Sequence, residues 1–120
     1  MEGIAHFSAI FRYMEEAEHA LWRAAGLVIA APSQTIGWPR VNVNVDFKRP
    51  LRFEQEFDVA IRIATASRRT IQYGHRITSG DTTIATGLIT TACVAKGPDG
   101  SMTSVDLPDG LLDTLKAALR

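Results

Sequence analysis

The chain has 120 residues, 46% of them hydrophobic and 22% charged. That is the balance of a single globular domain able to bury a core without disulfides or a metal. Thirteen basic residues offset thirteen acidic ones, so no global field recruits nucleic acid or an anionic membrane, though a local basic cluster could hold a phosphate-bearing ligand. The single cysteine, Cys93, excludes an internal disulfide and suits a reducing cytoplasm. Near the start, apolar residues are interleaved with Arg12, Glu15, Glu16 and Glu18, unlike a signal peptide. No apolar run approaches the roughly 20 residues of a membrane-spanning helix. A soluble cytoplasmic domain is expected.

The first element is a helix. Phe7, Ile10, Phe11, Met14, Ala17, Leu21 and Ala24 recur at helical steps and predict it over Ser8–Ala25, with Arg12, Glu15, Glu16, His19 and Arg23 largely on the opposite side. Gly26 is placed to stop it in the left-handed conformation. Leu27–Gly37, with Pro32, Ser33 and Gly37, reads as a loop long enough to form part of a binding site. The period then changes to two. Val41, Val43, Val45 and Phe47 share one face of a strand, and Asn42, Asn44, Asp46 and Lys48 the other. Arg49-Pro50 ends it. Phe57, Val59, Ile61 and Ile63 mark a second strand, and Ile71, Tyr73, His75 and Ile77 a third. Ser79-Gly80-Asp81 turns into a fourth, about Thr82 to Ala95, and "KGPDGS" is a further turn. "PDGLLDTLKAAL" predicts a short amphipathic helix with Pro108 and Asp109 near its start. One long helix, four antiparallel strands and a terminal helix, with no repeat or internal boundary, make one α+β domain over residues 1–120.

Several catalytic signatures are absent. There is no G-x-S-x-G elbow, no G-x-G-x-x-G and no phosphate-binding loop with its lysine. His6, His19 and His75 are scattered, and no Cys/His pair has metal-ligand spacing. Cys93 reads as a small core residue, and His19 and His75 as structural. What remains lies near the beginning, where Gly3, Ile4, Ala5 and His6 lead into the long helix. A helix N-terminus offers unpaired amides and a positive dipole end that can polarise a carbonyl, and glycine just before it permits close approach of a ligand. A nearby carboxylate would complete a site for attack on an activated acyl group.

"GIAHFSAIFRYMEEAEHALWRAAGL" resembles the opening of the 4-hydroxybenzoyl-CoA thioesterase-like branch of the hotdog-fold acyl-CoA thioesterases. Gly3 matches the glycine of that family's Asp-x-x-Gly motif, His6 and Phe7 its aromatic or histidine pair, and Glu15 with Ala17 its acidic-x-Ala element. "VNVDFKRPLRFEQEFDV" is similar to the family's strand–Pro–strand passage, with Phe47 at an aromatic position and Pro50 at the turn. "SRRTIQYGHRI" and "VDLPDGLLDTL" resemble the next strand and the C-terminal segment, so the likeness covers nearly the whole chain. The family's aspartate would fall one position before Met1, and the strand that precedes it is missing or very short here. Met1 is therefore expected to be the first x of the motif; the alternative is a short protein that has lost or replaced its carboxylate.

The resemblance implies a curved antiparallel sheet around one long helix, and hydrolysis of an acyl-CoA thioester to free acid and CoA with no metal or cofactor. Phe7 would polarise the thioester carbonyl through its backbone N–H, although its ring is expected to pack. His6 would serve as acid/base or position the thioester, or else flank the helix. Glu2 is the carboxylate beside Gly3, a substitute for the aspartate or a solvated terminal residue. Glu15 is the helix carboxylate favoured for an active chain, or a solvated or ion-paired residue. Arg68 and Arg69 match basic positions that meet CoA phosphates, or they are an exposed hairpin end. Lys48 and Arg49 are weaker candidates for that role. The family's sites lie between subunits, so a homodimer or homotetramer is expected. A catalytically inactive acyl-CoA-binding or dimerising module is the alternative, and a dehydratase a third reading with poor support from His6.

Overall fold

The computed structural model describes residues 7–29, 35–52 and 54–119. Helix α1 (Phe7–Ala24) closes with a Schellman arrangement: Leu27 N–H donates to Trp22 O at 2.8 Å, Gly26 N–H to Arg23 O at 3.0 Å, and Gly26 adopts φ 75°. Its core-facing residues are Ile10, Met14, Glu18, Leu21 and Trp22, all buried. Two members of the expected apolar stripe, Phe11 and Ala24, are exposed instead. Phe11 shares its row with Glu15 one turn on, away from the covered face.

The strands are β1 (Ile36–Gly37), β2 (Arg40–Phe47), β3 (Asp58–Ala66), β4 (Thr70–Ser79), β5 (Thr82–Ala92), β6 (Val94–Lys96) and β7 (Met102–Ser104), followed by helix α2 (Leu111–Ala118). All pairings are antiparallel, in a main sheet ordered β2-β5-β4-β3 and a small sheet ordered β1-β6-β7. The β4–β5 hairpin turns on Gly80 and Asp81, with Ser79 opposite Thr82 and Gly80 at φ 58°. This is the α+β hotdog arrangement, a curved antiparallel sheet around one long helix.

Three sequence expectations are corrected in detail. The fourth strand does not run to Ala95. It ends at Ala92, because Cys93 N–H bonds Arg69 O at 2.8 Å while Cys93 O accepts Val105 N–H at 3.0 Å, which carries the chain into the second sheet. The end of the Leu27–Gly37 loop is strand β1, paired with Val94 and Ala95, and β7 after the "KGPDGS" turn was not foreseen. The apolar face of β2 is only partly covered: Val45 packs on the core, but Val41 is 58% and Val43 44% exposed. Edge position explains this, since β2 borders the sheet beyond β5.

The inward faces of β4 and β5 form the sheet side of the core. Ile77, Ile84, Ala85 and Ile89 meet Ile10, Met14 and Leu51, while Ile71 and Tyr73 meet Leu21, Trp22, Leu111 and Leu115. Gly87 lies under Met14, whose Cε would stand 3.0 Å from a Cβ there, so its lack of a side chain lets α1 approach β5. Helix α2 starts after Gly110 at φ 79°, with Pro108 and Asp109 in the preceding turn. No helix among the described residues is long and apolar enough to cross a membrane.

Trp22 Nε1 donates to Tyr73 Oη at 3.0 Å inside this core. Burial pushes the Tyr73 phenol from 10.0 up to about 12, with the charge of Glu18 adding to the rise. The folded chain therefore holds this proton more tightly than the unfolded chain. Its contribution to stability is fully present below pH 10 and is lost as pH rises towards about 12. Urea unfolding across the alkaline range should show that decline in the wild type and a smaller one in Tyr73→Phe. Equal declines would contradict the burial of the phenol.

Candidate functional site

Four charged or titratable side chains from three elements are joined by direct contacts. Glu18, one turn after Met14 on the covered face of α1, has no exposed surface. Arg40 at the start of β2 donates from Nη2 to Glu18 Oε1 at 2.9 Å and places Nη1 3.1 Å from Glu15 Oε2. His75, inward-facing on β4, sets Nε2 2.9 Å from Glu18 Oε2. Its Nδ1 is buried without a hydrogen-bond partner among the described residues. Glu15 is thus an ion-paired helix carboxylate, with its side chain 48% exposed.

Glu15 and Arg40 also rim a recess of about 290 Å³ whose walls include Phe11, Val43 and Ile89. Val43 and Ile89 are register partners on β2 and β5, which makes the floor continuous with the sheet. An apolar recess lined also by one carboxylate and two guanidiniums, Arg12 and Arg40, suits a ligand with an apolar group and an adjacent reactive or polar one. A larger depression of about 540 Å³ lies around Asn44, Asp46, Arg62, Gly74, Arg76 and Thr86. Its carboxylate, Asp46, is ion-paired with Lys48 Nζ at 2.8 Å.

The basic candidates fall at two ends of the molecule. Arg68 and Arg69 occupy the β3–β4 hairpin, where their Nε atoms lie 3.3 and 2.8 Å from Asp106 Oδ1. The Arg69 hydrogen bond holds the Asp106 carboxyl below its ordinary range, with the charges of both arginines acting the same way. One carboxylate shared by two exposed guanidiniums leaves donors on both for a further anion. Thr70 pairs with Ala92 and Arg40 with Thr91, so the hairpin and the Glu15 recess share one end of the sheet. Lys48 follows Phe47, which pairs with Ala85, about 23 Å away along β5 from Ala92. The structure does not bring Lys48 and the two arginines together.

Glu2, Gly3 and His6 lie outside the described residues. Phe7 is the first residue of α1, so its amide is one of the helix's unpaired N–H groups. Cys93 is buried, with Sγ 3.7 Å from Asp106 O, and burial pushes its thiol up. His19 is half-buried one turn after Glu15 on α1, and no hydrogen bond or ion pair joins it to the described residues. Sequence reasoning did not select Glu18 or Arg40. The available signal was complementary: a carboxylate among the apolar positions of α1 and a histidine among those of β4 each require a buried partner.

A family model described as the thioesterase superfamily matches residues 2–86. A candidate esterase of Aquifex aeolicus (strain VF5) is 29% identical over 117 residues, spanning 96% of this chain and 87% of that protein. Among solved structures, a hypothetical protein from Aquifex aeolicus superposes with a TM-score of 0.84 at 26% identity, over 95% of this chain and 87% of that one. A 1,4-dihydroxy-2-naphthoyl-CoA thioesterase from Synechocystis superposes with a TM-score of 0.80 at 18% identity, over 98% and 83% of the two chains. At that identity the likeness concerns the fold alone.

His75→Leu would keep an apolar body on β4 but remove the group facing Glu18 Oε2. A buried carboxylate oxygen left without its donor should cost about 1–3 kcal/mol of stability, read as a lower urea midpoint at neutral pH. A midpoint unchanged from wild type would mean that the pair does not form.

Proposed function

The chain belongs to the thioesterase superfamily, and from that premise we propose that it hydrolyses an acyl-CoA thioester to the free acid and CoA in the manner of the 4-hydroxybenzoyl-CoA thioesterase-like branch. The observation that carries the reading is the Glu15 carboxylate, oriented by Arg40 at the mouth of an apolar recess, at the same end of the sheet as Arg68 and Arg69.

In this mechanism the acyl group enters the recess, with its thioester carbon beside Glu15. The carboxylate takes a proton from water, and the resulting hydroxide adds to the carbonyl carbon. Negative charge collects on the carbonyl oxygen, which accepts a hydrogen bond from the Phe7 amide, reinforced by the positive end of α1. Collapse breaks the C–S bond, and the departing thiolate recovers the proton from Glu15. A thioester is already activated, so the reaction requires no metal or cofactor. His6 is placed in the sequence to assist proton transfer, and Glu2 to supply a second carboxylate.

Phe7 and Glu15 are eight helical steps apart, a rise of about 12 Å. One carbonyl cannot meet both in a single chain, so the complete site forms between two copies, the Phe7 amide of one facing Glu15 of the other. The exposed apolar residues Phe11, Val41 and Val43, beside the open edge of β2, suit such a homodimer. A dimer of dimers is compatible with the same contact. The cytoplasm supplies CoA thioesters and a reducing environment for Cys93.

Free-thiol release from a panel of acyl-CoAs tests the reading. Glu15→Gln should lower kcat by roughly 100-fold or more, and unchanged kcat would remove Glu15 from the chemistry. Arg68→Ala with Arg69→Ala should raise KM for a CoA thioester but leave KM for the N-acetylcysteamine thioester of the same acid, which lacks phosphates, at its wild-type value. Equal changes for both substrates would exclude phosphate recognition by this hairpin.

A further inference from the structure

Two members of the joined quartet, Glu18 and His75, take no part in the chemistry proposed for Glu15. Both side chains are fully buried, where leucine would pack without a desolvation cost. Their geometry accounts for their presence. A histidine whose Nδ1 meets no partner among the described residues and whose Nε2 lies 2.9 Å from a carboxylate oxygen is placed to donate from Nε2 to Glu18. Glu18 is then held at both oxygens, Oε2 by His75 and Oε1 by Arg40.

Arg40 is the hinge of the arrangement. It begins an edge strand, and a long side chain there would ordinarily sample many rotamers. Anchored at Nη2 by a fully buried carboxylate, its planar guanidinium presents Nη1 to Glu15. An exposed Arg–Glu pair without that anchor would be weak and mobile. We propose that Glu18 is a positioning residue, which, backed by His75 and acting through Arg40, sets the direction of the Glu15 carboxylate at the recess. The proposal rests on the reading of Glu15 as the reacting carboxylate. The Tyr73 phenol on β4 is close enough to Glu18 to feel its charge, and it bonds the Trp22 indole on α1, while the Thr91 hydroxyl on β5 bonds Ile71 O. None of them takes the place of Arg40 as a bridge to Glu15.

A double-mutant cycle on the full chain decides the matter. Glu18→Gln keeps the volume and removes the charge. It should lower kcat for acyl-CoA hydrolysis roughly 10- to 100-fold with little change in KM. The same substitution should cost almost nothing further in the Glu15→Gln background, because the residue it positions is already gone. An equal fold-loss in both backgrounds would show that Glu18 acts only through the fold and would overturn the proposal. Arg40→Lys, a point charge unable to bridge two carboxylates in fixed geometry, should reproduce the pattern if Glu18→Gln does not fold.

Failure of the catalytic reading is distinguishable. If the wild type releases no thiol, or Glu15→Gln keeps full kcat, the role of Glu15 falls, and the positioning is then read from the Glu15 side-chain carboxyl ¹³C resonance. Glu18→Gln, or Arg40→Lys in its place, should shift that resonance and leave that of Glu16, on the exposed side, unchanged. A Glu15 resonance identical to wild type would overturn the proposal whether or not the chain is active.

Discussion

A carboxylate on the covered face of the long helix constrains much of this molecule. Burying Glu18 unpaired would cost several kcal/mol, so α1 can seat on the sheet only where His75 and Arg40 reach it. That requirement sets the helix's position along its axis and its rotation at once. A shift of one residue would carry Glu18 about 100° around the axis and away from both partners. Apolar contacts alone are more tolerant, since hydrophobic side chains of similar size can exchange neighbours at modest cost. The hydrophobic effect supplies the driving force for packing α1, and the buried polar contacts supply its registry.

The same contacts link core to surface. His75 is wholly inside, Glu18 is wholly inside, Arg40 is partly exposed and Glu15 lies at the rim. Polar contacts of 2.9 to 3.1 Å thus lead from the core to the lining of an apolar recess. Rigid elements carry all four residues, three of them on α1 and β4 and the fourth at the head of β2. A site supported in this way has little freedom to reorganise, and fixed groups of this kind favour stabilisation of a developing charge over adaptation to many ligands.

The second sheet and the β3–β4 hairpin complete that end of the molecule. Asp106 ties the hairpin arginines to the segment leading into α2, while Cys93 marks the point where the chain leaves the main sheet. Beyond β2 the sheet lies open, with Val41 and Val43 uncovered and Phe11 beside them. The exposed apolar surface and the charged rim are therefore adjacent, and a second copy seated there would close the site and cover the edge in one contact.

Much of the architecture could be read from local pattern. The helical stripe through Ile10, Met14 and Leu21, the alternation of Ile71, Tyr73, His75 and Ile77, and the turn at Gly80 each follow from the fixed periods of helix and strand and from the steric freedom of glycine. The order of these elements, together with their likeness to a known family, carried the reading to a hotdog fold. Other features depended on contacts between residues far apart in sequence. The exposure of Val41 and Val43 follows from strand order, which alternation does not encode. The switch of sheet at Cys93 follows from hydrogen bonds to Arg69 and Val105. Above all, the pairing of Glu18 with His75 spans 57 positions, and that with Arg40 spans 22. The chain by itself determined that a carboxylate and a histidine would lie on two apolar faces. Only the tertiary structure decided that those faces meet, because a buried charge selects its partner by position in space and not by spacing along the chain.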